Sequence, residues 1–271
     1  RIKKIYFLLY NVGSRLYNFY MSMKLTLDSA REAIVAGHFP KNVVADNKKT
    51  GCTILDNVPH LTCYGICPIR DKCYDVKILN LRPNVLKARA LRHYMIELAP
   101  GEYIDRTVKE ILSRKATKVR VYGGGDFTPL HMPILLAIMT ALPSITFYMI
   151  SKTIREYPLH ALTLLSRENF FLNLSECADY HFGGDWTEIA QHQRVNRVYT
   201  FLDSDTDFAK ARTADIVFNV SKSKKNISLY KSENLALCPC DAKDIPSQGA
   251  CEDCGLCATK GGVRNAFIRK I

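Results

Sequence analysis

The sequence predicts an α/β protein built on a partial (βα)6 barrel of parallel strands with a C-terminal cysteine-rich, cluster-binding tail. Between residues 52 and 220, short apolar segments alternate with helical ones. That alternation is typical of parallel strands joined by right-handed crossovers. Five of the ten cysteines then fall between residues 238 and 257. The alternation accommodates about six units, fewer than the eight of a complete barrel.

The first predicted elements precede the regular alternation. Asp28 to Val35 has the pattern of a short helix, ended by Gly37 and Pro40. Residues 47–51 form a predicted turn that leads into a strand starting at Cys52. The segment His60 to Tyr74 is expected to be a loop, because it contains glycine and proline. Two helices should follow, Asn84–Leu98 (apolar Val85, Ala88, Leu91, Met95 and Leu98) and Ile104–Leu112.

The remaining elements continue the strand–helix rhythm to about residue 224. Their apolar runs are short enough for strands, and the intervening segments have helical periodicity. The predicted strands are Val119–Tyr122, Ile145–Ile150, Asn169–Leu174, Arg197–Leu202 and Ile216–Val220. The predicted helices between them are Pro133–Leu142, Leu159–Arg167, Trp186–Gln193 and Phe208–Arg212.

Three regions follow from this pattern: a basic, helical N-terminal extension (1–45), the β/α unit with its cysteine loop (46–224), and the cysteine-rich tail (225–271). The apolar part of the extension, Ile5 to Tyr10, is too short to span a bilayer. We expect an extra helix packed on the barrel or a leader, with a surface-binding amphipathic helix as the alternative. We expect no transmembrane segment, and we expect a cytoplasmic location.

Charge and cysteine distribution limit the possible functions. The formal net charge of +12 favours anionic partners such as nucleotides or nucleic acids without selecting among them. Eight of the ten cysteines lie in two groups, 63–73 and 238–257. Such clustering in a chain of this length indicates metal or cluster binding rather than a secreted disulfide scaffold.

The tail has the clearer ligand spacing. Cys251, Cys254 and Cys257 are separated by two residues each, and Cys238, or Cys240 in its place, is expected to be the fourth ligand. Zinc sites usually combine two separate Cys-x2-Cys pairs. A triple with a remote fourth cysteine beside a proline is closer to a ferredoxin pattern, so a four-iron cluster is preferred and zinc is the alternative.

The first group consists of Cys63, Cys67 and Cys73 and has no obvious fourth member. If Cys52 joins it, the site is closed and structural. If it does not, three thiolates hold a four-iron cluster whose fourth iron is open to another ligand.

A glycine turn follows the second strand of the alternation. Gly123, Gly124 and Gly125 permit close backbone approach at the strand end where parallel sheets bind ligands, and Asp126 could accept a hydrogen bond from a cationic amino group. A plain tight turn with a solvated aspartate is the alternative. Later strand ends add the candidates Ser151, Lys152, Asn173 and Ser175.

Three cysteines after one strand and a Gly-Gly-acid turn after the next resemble the radical S-adenosylmethionine superfamily. The resemblance implies a six-unit β/α barrel, a 4Fe-4S cluster at Cys63, Cys67 and Cys73, and S-adenosylmethionine bound at Gly123–Asp126 and the later strand ends. The usual motif is Cys-x3-Cys-x2-Cys with an aromatic residue before the last cysteine. Here the second gap has five residues, and Tyr74 follows the last cysteine.

A more extensive similarity, from about residue 55 onward, is to a phage-encoded family described as "gene product eighty-eight-like". It rests on Cys73-Tyr74, Gly125-Asp126-Phe127, Ser151-Lys152 and the terminal Cys-x2-Cys-Gly-x-Cys. This similarity supports the site assignments and implies phage or bacterial coding more than it implies a reaction.

Other candidates are weaker. Asp203 follows a strand, and Trp186 with residues 180–182 could stack on a base, although packing is the default. His93 and His131 are expected to be structural.

Two functions follow as hypotheses. The first is an S-adenosylmethionine-dependent radical enzyme that abstracts hydrogen from a nucleotide or nucleic-acid base and needs an electron donor. The second is a non-catalytic nucleic-acid- or partner-binding protein with two structural Fe–S or zinc sites. No catalytic side chain can be assigned from the sequence.

Overall fold

A seven-stranded sheet forms the centre of the computed structural model, which describes residues 21–47, 52–63, 67, 73–177, 186–201, 208–219, 238 and 256–258. The order of the strands across the sheet is their order along the chain. Only the edge strand β1 is antiparallel to its neighbour, and β2 to β7 are parallel. The strands are β1 (Ala45–Asn47), β2 (Cys52–Leu55), β3 (Lys118–Val121), β4 (Thr146–Ser151), β5 (Phe170–Glu176), β6 (Val195–Phe201) and β7 (Ile216–Asn219).

This arrangement confirms the mixed α/β class and the mostly parallel sheet, while closure into a barrel remains a prediction. Because the strands are parallel, the loops that follow β2, β3, β4 and β5 emerge at one edge. The cysteine segment, the glycine turn, Lys152 and Cys177 therefore share the carboxyl edge of the sheet.

Nine helices are described. Proline at the first position starts α4, α5 and α7, where its fixed φ suits the helix and its missing N–H costs nothing. The helices are α1 (residues 21–35), α2 (Pro59–Thr62), α3 (Tyr74–Leu81), α4 (Pro83–Leu98), α5 (Pro100–Ser113), α6 (Met132–Ala141), α7 (Pro158–Leu165), α8 (Trp186–Gln191) and α9 (Phe208–Thr213). Short 3-10 turns cover Pro129–His131, Thr153–Glu156 and Leu256–Ala258.

The main core lies between one face of the sheet and the helices. Alternate residues of the strands, such as Val119 and Val121 in β3 and Phe147 and Met149 in β4, are buried against it. Helices α4 to α8 supply the opposing side chains. Burial of these apolar surfaces, at about 25 cal/mol per Å², is the main force that fixes the layers.

The opposite face of the sheet is covered in part by described residues of the tail. Cys257 and Ala258 pack with Cys52 and Tyr148, and Cys238 packs with Val198 at the β6–β7 side. The backbone N–H of Cys238 donates to the carbonyl of Val217 at 2.8 Å. The tail cysteines that the structure describes thus lie on the face away from the helices.

Two predictions of local structure were wrong, and one strand was missed. Asp28 does not begin the first helix, because residues 21–35 are helical and bury Met23, Leu27, Ala30 and Ile34. The cysteine segment is not all loop, since α2 and the start of α3 lie within it. Strand β1, which pairs with β2, was not predicted.

Helix α4 exists as predicted, but its buried surface is only partly the predicted apolar face. Leu98 is exposed, whereas Arg89, Arg92 and His93 are buried. Of the predicted apolar positions, Met95 is buried and Val85 and Leu91 pack against the core. Polar partners inside the protein compensate the buried arginines and histidine, which apolar periodicity did not indicate.

Several predictions fall outside the described residues. They concern residues 1–20, residues 180–182, Asp203, and the tail cysteines Cys240, Cys251 and Cys254. Among the residues that are described, no helix is both long and apolar enough to cross a bilayer.

Candidate cysteine site at the carboxyl edge of the sheet

The three cysteines of the first group follow β2 through the short helix α2. Cys63 ends that helix, and its carbonyl accepts the N–H of Cys67 at 2.7 Å. Cys73 is the residue before α3, and its carbonyl accepts the N–H of Lys77. All three side chains are partly buried.

Electrostatics show that these thiols share one environment. Burial raises the pKa of the Cys63 thiol well above its ordinary value, and Asp126, Cys67 and Cys73 raise it further. A hydrogen bond with Thr62 opposes the shift. Without a cation the neutral thiol is favoured, so any ligand that stabilises the thiolates must compensate for this environment.

The fit to a metal can be tested on these positions. Within the described part of the chain, no three His, Cys, Asp or Glu side chains are grouped closely enough to hold a metal ion. The donor chemistry, three partly buried sulfurs at one sheet edge, is nevertheless that of iron–sulfur and zinc sites. The residues fit such a group by ligand type.

The glycine turn lies against this segment with almost no free space. A Cβ on Gly124 would overlap the guanidinium of Arg89 and come within 2.5 Å of Asp75 Oδ2. A Cβ on Gly125 would lie 2.8 Å from Thr62 Oγ1, and that residue has a φ of +71°. A Cβ on Gly123 would lie 2.6 Å from the Ile54 side chain. Close packing of the protein on itself therefore accounts for all three glycines.

Hydrogen bonds connect the turn to both ends of the cysteine segment. The N–H of Asp126 donates to Thr62 Oγ1 at 3.0 Å, one residue before Cys63. The N–H of Gly125 donates to Asp75 Oδ2 at 3.3 Å, two residues after Cys73. The turn thus fixes where the cysteine segment begins and ends.

The carboxylate of Asp126 is surrounded by donors from this chain. Its Oδ1 accepts the N–H of Phe127 at 2.7 Å and the hydroxyl of Ser151. Its Oδ2 accepts the N–H groups of Lys152 at 2.9 Å and Thr153 at 3.2 Å. Asp126 therefore joins the glycine turn to the end of β4.

Lys152 continues this network across the sheet edge. Its side chain is buried, and its Nζ donates to Ser175 Oγ and to Thr200 Oγ1, the latter at 3.4 Å. Burial lowers the pKa of Lys152, whereas Cys177, Cys67 and, less strongly, Asp126 and Cys73 act to raise it. The Lys152 amine is thus held beside the cysteine group.

Four predicted cofactor residues, Asp126, Ser151, Lys152 and Ser175, are brought together in this way. Asn173 is not part of that network. Its Nδ2 donates to the carbonyl of Cys257 at 2.9 Å and to that of Met149 at 3.2 Å. Its Oδ1 accepts from Asn196 at 3.1 Å, so Asn173 fastens the tail to the sheet.

A buried ion pair lies behind the glycine turn. Arg89 Nη1 contacts both carboxylate oxygens of Asp75 at 2.7 Å, and Arg89 Nη2 lies 3.5 Å from Asp56 Oδ2. Burial raises the pKa of Asp75, and Arg89 opposes that shift. These three residues surround the site without being among the predicted ligands.

A second polar network supports the turn from the helix side. Tyr122, which has a φ of 61°, hydrogen-bonds through its hydroxyl to His131 Nδ1 at 2.8 Å. His131 lies within 3.1 Å of Asn57 Nδ2, and Asn57 Oδ1 lies 2.9 Å from His93 Nδ1. Burial, aided by His93, lowers the pKa of His131 to about 3. Both histidines have partners inside the protein, in keeping with their expected structural role.

Cys52 lies beside the tail. Its Sγ is 3.2 Å from the hydroxyl of Tyr148, and it packs with Cys257 and Ala258 on the face away from the helices. Cys177, at the carboxyl edge beside Lys152, is the cysteine that sequence reasoning did not connect with the first group.

Sequence reasoning also missed Thr62, Asp75 and Arg89. Thr62 lies one residue before Cys63 and Asp75 two residues after Cys73, and this proximity in the sequence could have marked both as site residues. Arg89 shares its helix face with Arg92 and His93, so the apolar pattern of α4 gave no sign of its burial.

The fold and the site define a class: a mixed α/β protein with a mostly parallel sheet and a thiol-bearing carboxyl edge. The family model described as Gene product 88 matches residues 29–260, so the chain belongs to the Gene product 88 family. No curated protein and no solved structure matches the chain. The predicted phage-type family is confirmed, and no radical S-adenosylmethionine family model accompanies it.

Proposed function

We propose that this chain is an iron–sulfur protein that uses S-adenosylmethionine for radical hydrogen abstraction on a nucleotide or nucleic-acid base. The observation that carries the proposal is the meeting of Cys63, Cys67 and Cys73 with Asp126 and Lys152 at the carboxyl edge of the sheet. The order of parts supports it too, with the cysteines after the first parallel strand and the glycine turn after the second.

In this proposal Cys63, Cys67 and Cys73 hold a 4Fe-4S cluster, and the chain contributes the surroundings. Such a cluster supplies one-electron chemistry when bound. The Lys152 amine lies near the thiols, and thiolates at Cys67 and Cys73 act to raise its pKa, so that binding of a proton by Lys152 and ionisation of the thiols favour each other. The backbone N–H of Asp126 keeps the turn against the cysteine segment by donating to Thr62 Oγ1, and its carboxylate holds the turn to the end of β4.

The same proposal extends to the finer features of the chain. The sheet is taken to curve as a partial (βα)6 barrel, and the tail cysteines Cys238, Cys251, Cys254 and Cys257 are taken to hold a second cluster. Packing of Cys238 and Cys257 on the open face of the sheet supports a site there. A cytoplasmic electron donor completes the scheme.

A second function is favoured by a different observation. The carboxylate of Asp126 and the amide of Asn173 are engaged by partners within the chain. A non-catalytic nucleic-acid- or partner-binding protein with two structural Fe–S or zinc sites needs no cofactor contacts from these groups. Such a protein would still need the cysteines.

Anaerobic reconstitution with iron and sulfide tests the two functions. The radical enzyme should bind about four irons per cluster, lose the first cluster in Cys63→Ser, and release 5′-deoxyadenosine with dithionite and S-adenosylmethionine. Cys52→Ala is the matched control, because its thiol lies with the tail. Zinc binding, or a bound cluster without 5′-deoxyadenosine, would decide for the structural function.

A further inference from the structure

The stretch of residues 56–75 contains the cysteine segment and has an acidic side chain at each end. Asp56 follows β2 and precedes α2, while Asp75 lies in the first turn of α3, two residues after Cys73. All three cysteines of the first group fall between them. Anything that binds both carboxylates therefore closes the segment into a loop.

Arg89 contacts both carboxylates from a rigid position. It belongs to the sixteen-residue helix α4 and is only 7% exposed. Its Nη1 is 2.7 Å from both oxygens of Asp75, and its Nη2 is 3.5 Å from Asp56. We propose that Arg89 is a positioning residue that holds the two ends of the cysteine segment together, so that the thiols are gathered before any metal arrives.

The chemistry of the side chain suits this role. A guanidinium presents several N–H groups in a plane and can contact two acceptors at once, which an ammonium on a flexible stem does less well. The glycine turn makes room for it, because a Cβ at Gly124 would occupy the position of the guanidinium. Asp75 in turn accepts the N–H of Gly125, so the ion pair also locates the turn.

Apolar packing is the competing explanation for closure of the segment. Leu86 and Ala90 of α4 form a cluster with Val58 near one end of the segment and Leu79 beyond the other. If this cluster is sufficient, removal of the charge at position 89 should leave the segment in place. The two explanations therefore give different results for one substitution.

Hydrogen exchange on the full-length, metal-free chain separates them. Arg89→Met should accelerate exchange of amides in residues 56–75 by at least about tenfold relative to those of β5, because it removes the cation that pairs with the buried Asp75 and the partly buried Asp56. Arg89→Lys should give a smaller acceleration. Asp56→Asn, a milder change, should act in the same direction and serves if Arg89→Met fails to fold.

Leu165→Ala is the matched control for general destabilisation. Leu165 is buried on α7, away from the cysteine segment, and its truncation destabilises the fold by leaving a cavity in the core. Exchange in residues 56–75 that is unchanged in Arg89→Met, or that rises only as much as in Leu165→Ala, would overturn the positioning role.

The consequence of this inference for metal binding rests on the proposed function. A metal titration tests that consequence. Co²⁺ is the probe, because its thiolate complexes absorb strongly. Arg89→Met should weaken Co²⁺ binding by about tenfold or more, Arg89→Lys less, and Leu165→Ala hardly at all. If the wild-type chain binds neither Co²⁺ nor iron, the proposed function fails, and the exchange result alone decides the role of Arg89.

Discussion

Replacement of Gly124 by alanine should disrupt the ion pair behind the glycine turn. The added Cβ would lie within 2.5 Å of both the Arg89 guanidinium carbon and Asp75 Oδ2. Neither group has a simple escape, because Arg89 is buried and Asp75 is held by two hydrogen bonds from Arg89 and one from Gly125. The φ of Gly124 lies outside the left-handed range, so steric overlap is the cause.

The expected loss of stability follows from disruption of the Arg89–Asp75 ion pair. Removing one partner of a buried ion pair costs about 3–5 kcal/mol, since a charge is left without compensation. Displacement of Arg89 from Asp75 should approach the lower part of that range. For a chain of this size, about 3 kcal/mol corresponds to a fall in Tm of roughly 6–12 °C.

Urea unfolding followed by the fluorescence of Trp186, the single tryptophan, measures this cost. Gly101→Ala is the matched control, because nothing lies within 4 Å of its added Cβ and the residue is in helix α5. The control should be neutral or stabilised by up to about 1 kcal/mol. A Gly124→Ala protein within about 1 kcal/mol of wild type would refute the steric argument.

Three further predictions concern stability and the tail. His131, whose folded pKa is about 3, resists protonation that the unfolded chain accepts near 6.5, so stability should fall by about 1.4 kcal/mol per pH unit as pH drops from 6.5 towards 3. Urea titrations at pH 7 and 5 should show a loss of about 2 kcal/mol that His131→Gln lacks. Asp126→Asn should lower the free energy of unfolding by about 3 kcal/mol or more, because an amide nitrogen would face backbone N–H donors. An unchanged urea midpoint would contradict this prediction. Asn173→Ala should release the carbonyl of Cys257 and speed proteolysis of the tail, with Asn169→Ala as a control that should spare it.

The order of strands and helices could be predicted because the strands are short and largely apolar. Phe147 to Ile150 is a continuous apolar run, and Phe170 to Leu174 is interrupted only by Asn173. The helix boundaries at Pro100 and Pro158 also follow from local chemistry. Local patterns therefore determined the fold class.

The details of the site could not be predicted in the same way. The positions of Cys63, Cys73 and Asp126 at one edge follow from parallel strands. The partners of Asp126 do not, since they come from residues 25 to 64 positions away. Arg89 is buried only because Asp75 reaches it across the α3–α4 turn. Such pairings depend on tertiary structure, which periodicity does not report.

The connection between the glycine turn and the cysteine segment sets an order of events during synthesis. Cys63, Cys67 and Cys73 leave the ribosome well before the glycine turn does. Asp126 reaches its full set of acceptor contacts only when Ser151, Lys152 and Thr153 have been added. Some eighty residues must therefore be synthesised after Cys73 before the surroundings of the three thiols are complete. If the proposed cluster is bound, its site is complete only after residue 153 has been added, and the three thiols are exposed to oxidants and stray metal ions until then.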